Sequence, residues 1–450
     1  MLDSHYLAVT ARLLPETFIP ASATQEFPLT KSNSNGNGSS PDSAQPADRL
    51  ANAGFATRSV HGGERQGTPD YTPTVAPIHL SASYFYDDTM ELDAVFANER
   101  QGYVYTRYGN PTLHALEQSI AALEGTEDAV TYASGMAAIH AAILLDARSG
   151  DRIVAGRDVY GATYAILGKL FQSLGIETTF IDTRDLAAVE EAVQRVKPTL
   201  VVCETISNPL VRVADIPELA QIAHAHGAKL MVDNTFASPL LVNPAKHGAD
   251  TVVHSATKYL GGHGDATAGV IATTAERALA LREQAKLVGP TLGPFDAWLI
   301  LRGIKTLPLR VRAQSDGAAS LVEWLRQHPL VSAVHYPEDA TIGAAVGIFN
   351  DHRRGGMLAF EIRDAERAGA FRFMEALKLI IPATTLGDVY TLVLHPAMSS
   401  HRALTPEQRE EIGIREGLIR LSMGIEDLDD ITGDIDQALR VAVTANAVSV

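Results

Sequence analysis

From Asn110 onward the chain alternates short apolar runs of strand length with amphipathic runs of helical period, and this alternation constrains its fold more than any other feature. Ala129–Tyr132, Arg152–Ala155, Thr178–Ile181, Leu200–Cys203, Leu230–Val232, Thr251–Val253 and Gly269–Ala272 read as short buried strands. Between them lie helical faces such as Tyr164/Leu167/Phe171/Leu174 and Leu186/Val189/Val193/Val196. Strands that are apolar on both faces and separated by helices imply a mainly parallel seven-stranded sheet covered by helices, an α/β fold. Ligands of such a sheet are expected at the carboxyl ends of its strands. Asn110-Pro111 opens one helix, with Leu113, Leu116, Ile120 and Leu123 on one face and Gly125 closing it. Past Thr306 the pattern changes to fewer strands (Met357–Ile362, Leu379–Pro382, Leu418–Ser422) and longer helices, the last from about Asp427. That change predicts a second, smaller α/β domain.

Composition agrees with two cores, since 450 residues exceed the roughly 250–300 at which a single core stops growing. A formal charge of −16 and the lack of any sustained Lys/Arg run argue against a nucleic-acid partner, so an anionic cofactor must be captured locally. No run approaches the ~18 apolar residues of a membrane span, and no charged segment followed by an apolar core marks a secretory signal. Neither a membrane partner nor secretion is expected. The single cysteine, Cys203, allows no intrachain disulfide and fits a reducing compartment, with the cytoplasm as the expected location. Residues 1–52 stand apart: Ser32–Ser43 is dominated by Ser, Asn, Gly and Pro, and a disordered extension is expected there.

The segment from Thr251 to Asp265 carries the most chemistry. Its strand delivers Ser255, Thr257 and Lys258 into a Gly-rich turn, placing two hydroxyls and an amine at one strand end. Hydroxyls and free backbone N–H groups suit a phosphate, and a desolvated lysine can condense with an aldehyde cofactor. A lone lysine after a strand is ordinarily a solvated one; its neighbours change the reading. Asp233 follows another strand, where an acid can pair with a protonated pyridine nitrogen. Ala129–Tyr132 runs into Ala133-Ser134-Gly135-Met136, whose Gly135 and Met136 N–H groups can cradle a phosphate at a helix start. Arg152–Ala155 leads to Tyr160, an aromatic that can stack on a planar ring. By contrast, His224 and His226 are two apart on a predicted helix and face different ways, so no metal site is expected. Gly262-His-Gly264 has Thr267 where a dinucleotide fingerprint needs its third glycine.

These residues resemble the Cys/Met-metabolism family of pyridoxal-phosphate enzymes, which includes cystathionine γ-synthase, cystathionine γ-lyase, methionine γ-lyase and O-acylhomoserine sulfhydrylases. The similarity runs from about Phe55 to Leu439 and is most specific at Ser255-Ala-Thr-Lys258-Tyr-Leu-Gly-Gly-His. It implies a fold-type I architecture like that of aspartate aminotransferase, with pyridoxal 5'-phosphate on Lys258 and its phosphate on Ser255 and Thr257. It further implies that Asp233 meets the pyridine nitrogen, Tyr160 stacks on the ring, and Asn208 of Glu204-Thr-Ile-Ser-Asn-Pro209 lies near the cofactor hydroxyl. Tyr105-Thr-Arg107 resembles a signature that reaches the phosphate of the adjacent subunit, implying a homodimer as the minimal active unit and a homotetramer as the expected assembly. Arg420 of Leu418-Ile-Arg420-Leu-Ser422 resembles the arginine that holds the carboxylate of a small amino-acid substrate, with Thr385 of the Pro382–Gly387 loop beside it. The expected organisation is a disordered extension (1–52), an arm contacting the neighbouring subunit (53–109), a cofactor-binding domain (110–305) and a substrate domain (306–450).

The expected reaction begins with the substrate amine displacing Lys258, whose freed amine takes the Cα proton, while Tyr160 is the candidate acid for the γ-leaving group. Family members that handle cystathionine tend to carry Glu at the place of Thr384, and an acidic residue where this chain has Val104. Both replacements remove charge that would greet a distal ammonium, which favours a shorter substrate such as methionine, homocysteine or an activated homoserine. The segment around Lys258 looks most like methionine γ-lyase, although such lyases have Cys where this chain has Ala162. γ-Elimination is therefore the leading expectation and γ-replacement the alternative. A non-catalytic relative that uses the fold for binding or regulation, and an aminotransferase, are weaker readings.

Overall fold

The computed structural model describes residues 50, 52–63, 72–337, 345–402 and 404–444. Apart from Leu50 and Asn52, the expected disordered extension lies outside the described residues. Seven strands form the large sheet: β1 (Asp128–Tyr132), β2 (Arg152–Gly156), β3 (Glu177–Ile181), β4 (Leu200–Glu204), β5 (Lys229–Asp233), β6 (Thr251–Ser255) and β7 (Gly269–Thr273). Their spatial order is β1-β7-β6-β5-β4-β2-β3. Only β7 runs against the others, pairing antiparallel with both β1 and β6. Hydrogen bonding at each strand's ends extends these strands one or two residues beyond the apolar runs visible in the sequence.

One face of the sheet packs on a core that includes Leu116, Ile120, Val201, Val232 and Val252, and the other on Ile139, Ile143, Phe171, Val202 and Ile271. This two-sided burial is the reason the strands read as continuous apolar runs rather than alternating ones. The helix Pro111–Glu124 starts as expected, with the Asn110 side chain accepting from Thr112 N–H and Gly125 closing it at φ 75°. The face Tyr164/Leu167/Phe171/Leu174 departs from expectation. Ile166–Phe171 is a π-helix, which rotates the pattern so that Leu167 and Phe171 are buried while Leu174 is exposed.

A second sheet follows, ordered β10-β11-β12-β9-β8, from β8 (Val331–His335), β9 (Met357–Ile362), β10 (Ile381–Pro382), β11 (Leu392–Leu394) and β12 (Leu418–Ser422). The 21-residue helix Leu307–Gln327 serves both cores. Its Leu307 and Val311 pack under the large sheet, whereas Leu321, Val322 and Leu325 join the core of the second. The boundary read at residue 306 thus falls at the start of a helix that both cores share. The final helix is Leu428–Thr444, and no described helix is long and apolar enough to cross a membrane.

Candidate active site

The carboxyl ends of β2, β4, β5 and β6, the turn after β1, and strands β11 and β12 of the second sheet with their neighbouring loops converge on a cavity of about 450 Å³. Lys258, Asp233, Glu204, Tyr160, Asn208, Ser255, Thr257, Gly135, Met136 and Arg420 all line it. Eight separate stretches of sequence therefore meet at one place, five of them after strands of the large sheet, as expected for a parallel sheet whose loops follow its strand ends.

Lys258 lies in the turn that follows β6, and its Nζ donates to Thr385 Oγ1 at 2.9 Å. Burial holds its amine below the ordinary lysine range, the Arg420 charge adds to this, and Asp388 opposes it. Depression favours the neutral, nucleophilic amine. Asp233 ends β5, and its Oδ1 accepts from the Thr235 N–H at 3.0 Å and the Thr235 hydroxyl at 2.5 Å. Burial raises its carboxyl, while the Thr235 bonds and the nearby His254 pull it back. A sunken carboxylate with no ion-pair partner among the described residues suits a protonated ring nitrogen.

Ser134 caps the helix Gly135–Asp146 by accepting from Ala137 N–H at 3.2 Å. The first N–H groups of a helix have no intrahelical acceptor, so those of Gly135 and Met136 are available to a phosphate. Gly135 is required here because a Cβ would stand 2.8 Å from Ser255 Cβ. Thr257 is placed differently from the simple expectation. Its hydroxyl accepts from Ala268 N–H at 3.0 Å and donates to Ala268 O at 3.3 Å, so its one proton is already shared with the backbone.

Arg420, on β12, is buried at 4% exposure. Its Nη1 donates to Asn208 Oδ1 at 2.9 Å and its Nη2 to Thr385 O at 3.2 Å, while its Nε has no acceptor among the described residues. Burial pushes its guanidinium down to about 10, still charged at neutral pH. A buried guanidinium whose acceptors are both neutral is a ready partner for a carboxylate. Tyr160 precedes the short helix Gly161–Ala165; its N–H donates to Glu204 Oε1 at 2.6 Å, and the residue is 41% exposed.

Tyr105 and Arg107 are not among the residues lining this cavity. Arg107 borders a separate cavity of about 630 Å³ together with Val104, Tyr108 and Lys286, and its guanidinium bonds to Lys286 O. The Tyr105 ring is 44% exposed and packs edge-on against Tyr108. Sequence reasoning gave no role to Glu204, Thr235 or the Ser399–Ser400 segment, all of which line the site. Thr235 was detectable in principle, since an Asp side chain commonly accepts from the backbone N–H two residues on. Ser400 was not, because only folding brings its carbonyl against Gly161, where a Cβ would come within 2.0 Å of it.

The family model for Cys/Met metabolism PLP-dependent enzymes matches residues 56–440. The chain belongs to that family. Pyridoxal phosphate is accordingly its cofactor, and the groups just described fit it: a depressed lysine amine, helix N–H groups and the buried acid Asp233. Among Cys/Met-metabolism relatives, the O-succinylhomoserine sulfhydrylase of Pseudomonas aeruginosa is 40% identical over 398 residues, spanning 87% of this chain and 96% of that protein. The L-methionine γ-lyase of Pseudomonas putida is also 40% identical, spanning 86% of this chain and 98% of its own. The crystal structure of cystathionine γ-lyase from Lactobacillus plantarum with L-serine superposes with a TM-score of 0.80 at 34% identity, covering 86% of this chain and 99% of that one.

Proposed function

We propose that the chain is a γ-elimination lyase acting on methionine, homocysteine, cystathionine or an activated homoserine. The thiol ether substrates would take up water and yield 2-oxobutanoate, ammonia and a thiol. One observation carries the reading: the Lys258 amine, the Arg420 guanidinium without a carboxylate and the Tyr160 ring line the same cavity. When bound, pyridoxal phosphate supplies an aldehyde for the substrate amine and a ring that stores an electron pair. Arg420 holds the substrate carboxylate, with Asn208 and Thr385 fixing its plane. Lys258 Nζ, in its neutral form, takes the Cα proton. Tyr160, whose ring faces the cavity, donates a proton to the departing γ-sulfur. Asp233 would hold the ring nitrogen, and Ser255 and Thr257 with the N–H groups of Gly135 and Met136 would hold the phosphate. Ile206, Phe236, Leu386 and Leu394 supply the apolar wall that keeps bulk water from these protons.

The carboxylates lining the cavity, Glu204 and Asp233, end strands of the large sheet, and the loop position Thr384 offers none to a distal ammonium. This supports a substrate shorter than cystathionine. γ-Replacement, as in O-acylhomoserine sulfhydrylase or cystathionine γ-synthase, is the second reading, favoured by the equal similarity to an O-succinylhomoserine sulfhydrylase. Ketoacid release from methionine, homocysteine and O-acetylhomoserine, assayed with and without added thiol, decides between them. Thiol-dependent product without ketoacid would overturn elimination. The active unit in this reading is a homodimer, pairing into a homotetramer, in which Tyr105 and Arg107 reach the neighbouring subunit's phosphate. Buried, unpaired Cys203 is compatible with a cytoplasmic setting.

A further inference from the structure

Glu204 ends β4 directly beside Asp233, its register partner at the end of β5. Both carboxyls line the cavity, and Glu204 is only 8% exposed. Its Oε1 accepts the Tyr160 N–H at 2.6 Å, and the backbone N–H of Asn208 donates to the same carboxyl. Asn208 in turn accepts from Arg420. One side chain therefore ties together the turn that carries the ring-facing Tyr160 and the turn that steadies the carboxylate-binding arginine.

We propose that Glu204 is a positioning residue that works as a neutral carboxyl, fixing Tyr160 on one side and the Asn208–Arg420 pair on the other. This inference rests on the roles given above to Tyr160 and Arg420. Two adjacent buried acids facing one cavity cannot both ionise cheaply, so one retains its proton. The groups that face Glu204 are acidic: Asp233 on β5 and Asp158 in the β2 turn, both of which raise it along with burial. No ion pair involves Glu204 among the described residues, and the cavity's cations, Lys258 and Arg420, bond instead to Thr385 and Asn208. Asp233, like Glu204, accepts two hydrogen bonds, both from Thr235, but it alone also has the field of a cationic group, His254, to support its charge. The proton accordingly resides on Glu204 and the charge on Asp233. Ionised, Glu204 would set a second buried negative charge beside Asp233.

Three isolated variants of the full chain, loaded with pyridoxal phosphate, test this. Glu204→Gln keeps both acceptor geometry and neutrality, so kcat/KM should stay within about threefold of the parent. The visible-absorbance pH midpoint of the lysine-bound cofactor should move by less than about 0.3 unit. Glu204→Asp, too short to reach the Tyr160 N–H, should lose about tenfold or more in kcat with a raised KM, and Glu204→Ala should do the same. A downward midpoint shift of about one unit in Glu204→Gln would mean that the group is an anion in the parent, and would overturn the proposal. Full activity in Glu204→Asp would also overturn it. The midpoint needs only bound cofactor and no turnover, so it decides the charge state even if the short variants fail to fold. Failure of the role given above to Tyr160 would appear separately, as unchanged turnover in Tyr160→Phe, and failure of the elimination reading as thiol-dependent product without ketoacid.

Discussion

Arg420 shows how surroundings specify use at the scale of one residue: a buried guanidinium bonded to an amide and a carbonyl, with Nε left over, is held ready for an anion. Lysine in its place keeps a charge but loses the planar fork, so Arg420→Lys should raise KM for the amino acid about 10- to 100-fold with a smaller effect on kcat, read from steady-state kinetics. Lys258→Ala removes the one depressed amine in the cavity; the borohydride-reducible visible chromophore should vanish and turnover should fall by about a thousandfold or more. His401, 2% exposed, gives a stability prediction. Burial, reinforced by the Arg420 charge, pushes its imidazole from 6.5 down to about 4. The folded state therefore holds it neutral while the unfolded chain takes up a proton below pH 6.5. The sign follows: stability is complete above 6.5, declines as pH falls toward 4, and is then level, a loss of about 3 kcal/mol at most. Urea midpoints between pH 7.5 and 4.5 should fall less steeply for His401→Gln than for the parent.

Among the elements, the turn from β1 into the helix Gly135–Asp146 depends most on close approach. A Cβ on Gly135 would meet Ser255, and one on Gly269 of β7 would lie 2.1 Å from Ser134 O. Gly135→Ala should push the helix start away from Ser255 and raise the cofactor dissociation constant about tenfold, measurable by fluorescence on the apoenzyme, with little change in overall helicity. The large sheet was legible because its strands other than β3 are mostly buried on both sides, which makes apolar runs conspicuous; the edge strand β3, read as buried at Thr178–Ile181, is only half-buried because it pairs on one side alone. In the second sheet that signal fails. β8 is buried only at Val331, β11 has three residues, and the run read as Leu379–Pro382 is a strand only at Ile381–Pro382, both exposed. Pairing along such short strands is set by neighbours in space rather than by local pattern.

At the scale of the whole molecule, Arg107 borders one cavity and Lys258 another, so a subunit that places both on one phosphate must borrow one of them. If the site is shared across a dimer, inactive Lys258→Ala and Arg107→Ala subunits, mixed and reassembled, should regain about a quarter of parental activity, because half of the dimers carry one intact site of two. No recovery on mixing would argue for a site built within one chain. The amino-acid sequence alone determined the α/β class, the seven strands, and the Lys258, Asp233 and Ser255 constellation, since burial pattern and strand-end chemistry are local properties. Tertiary structure decided what lies far apart in sequence: the meeting of Asn208 with Arg420, 212 residues away, and the charge relation of Glu204 to Asp233. Desolvation and mutual repulsion depend on which groups share a cavity, and only the folded chain settles that.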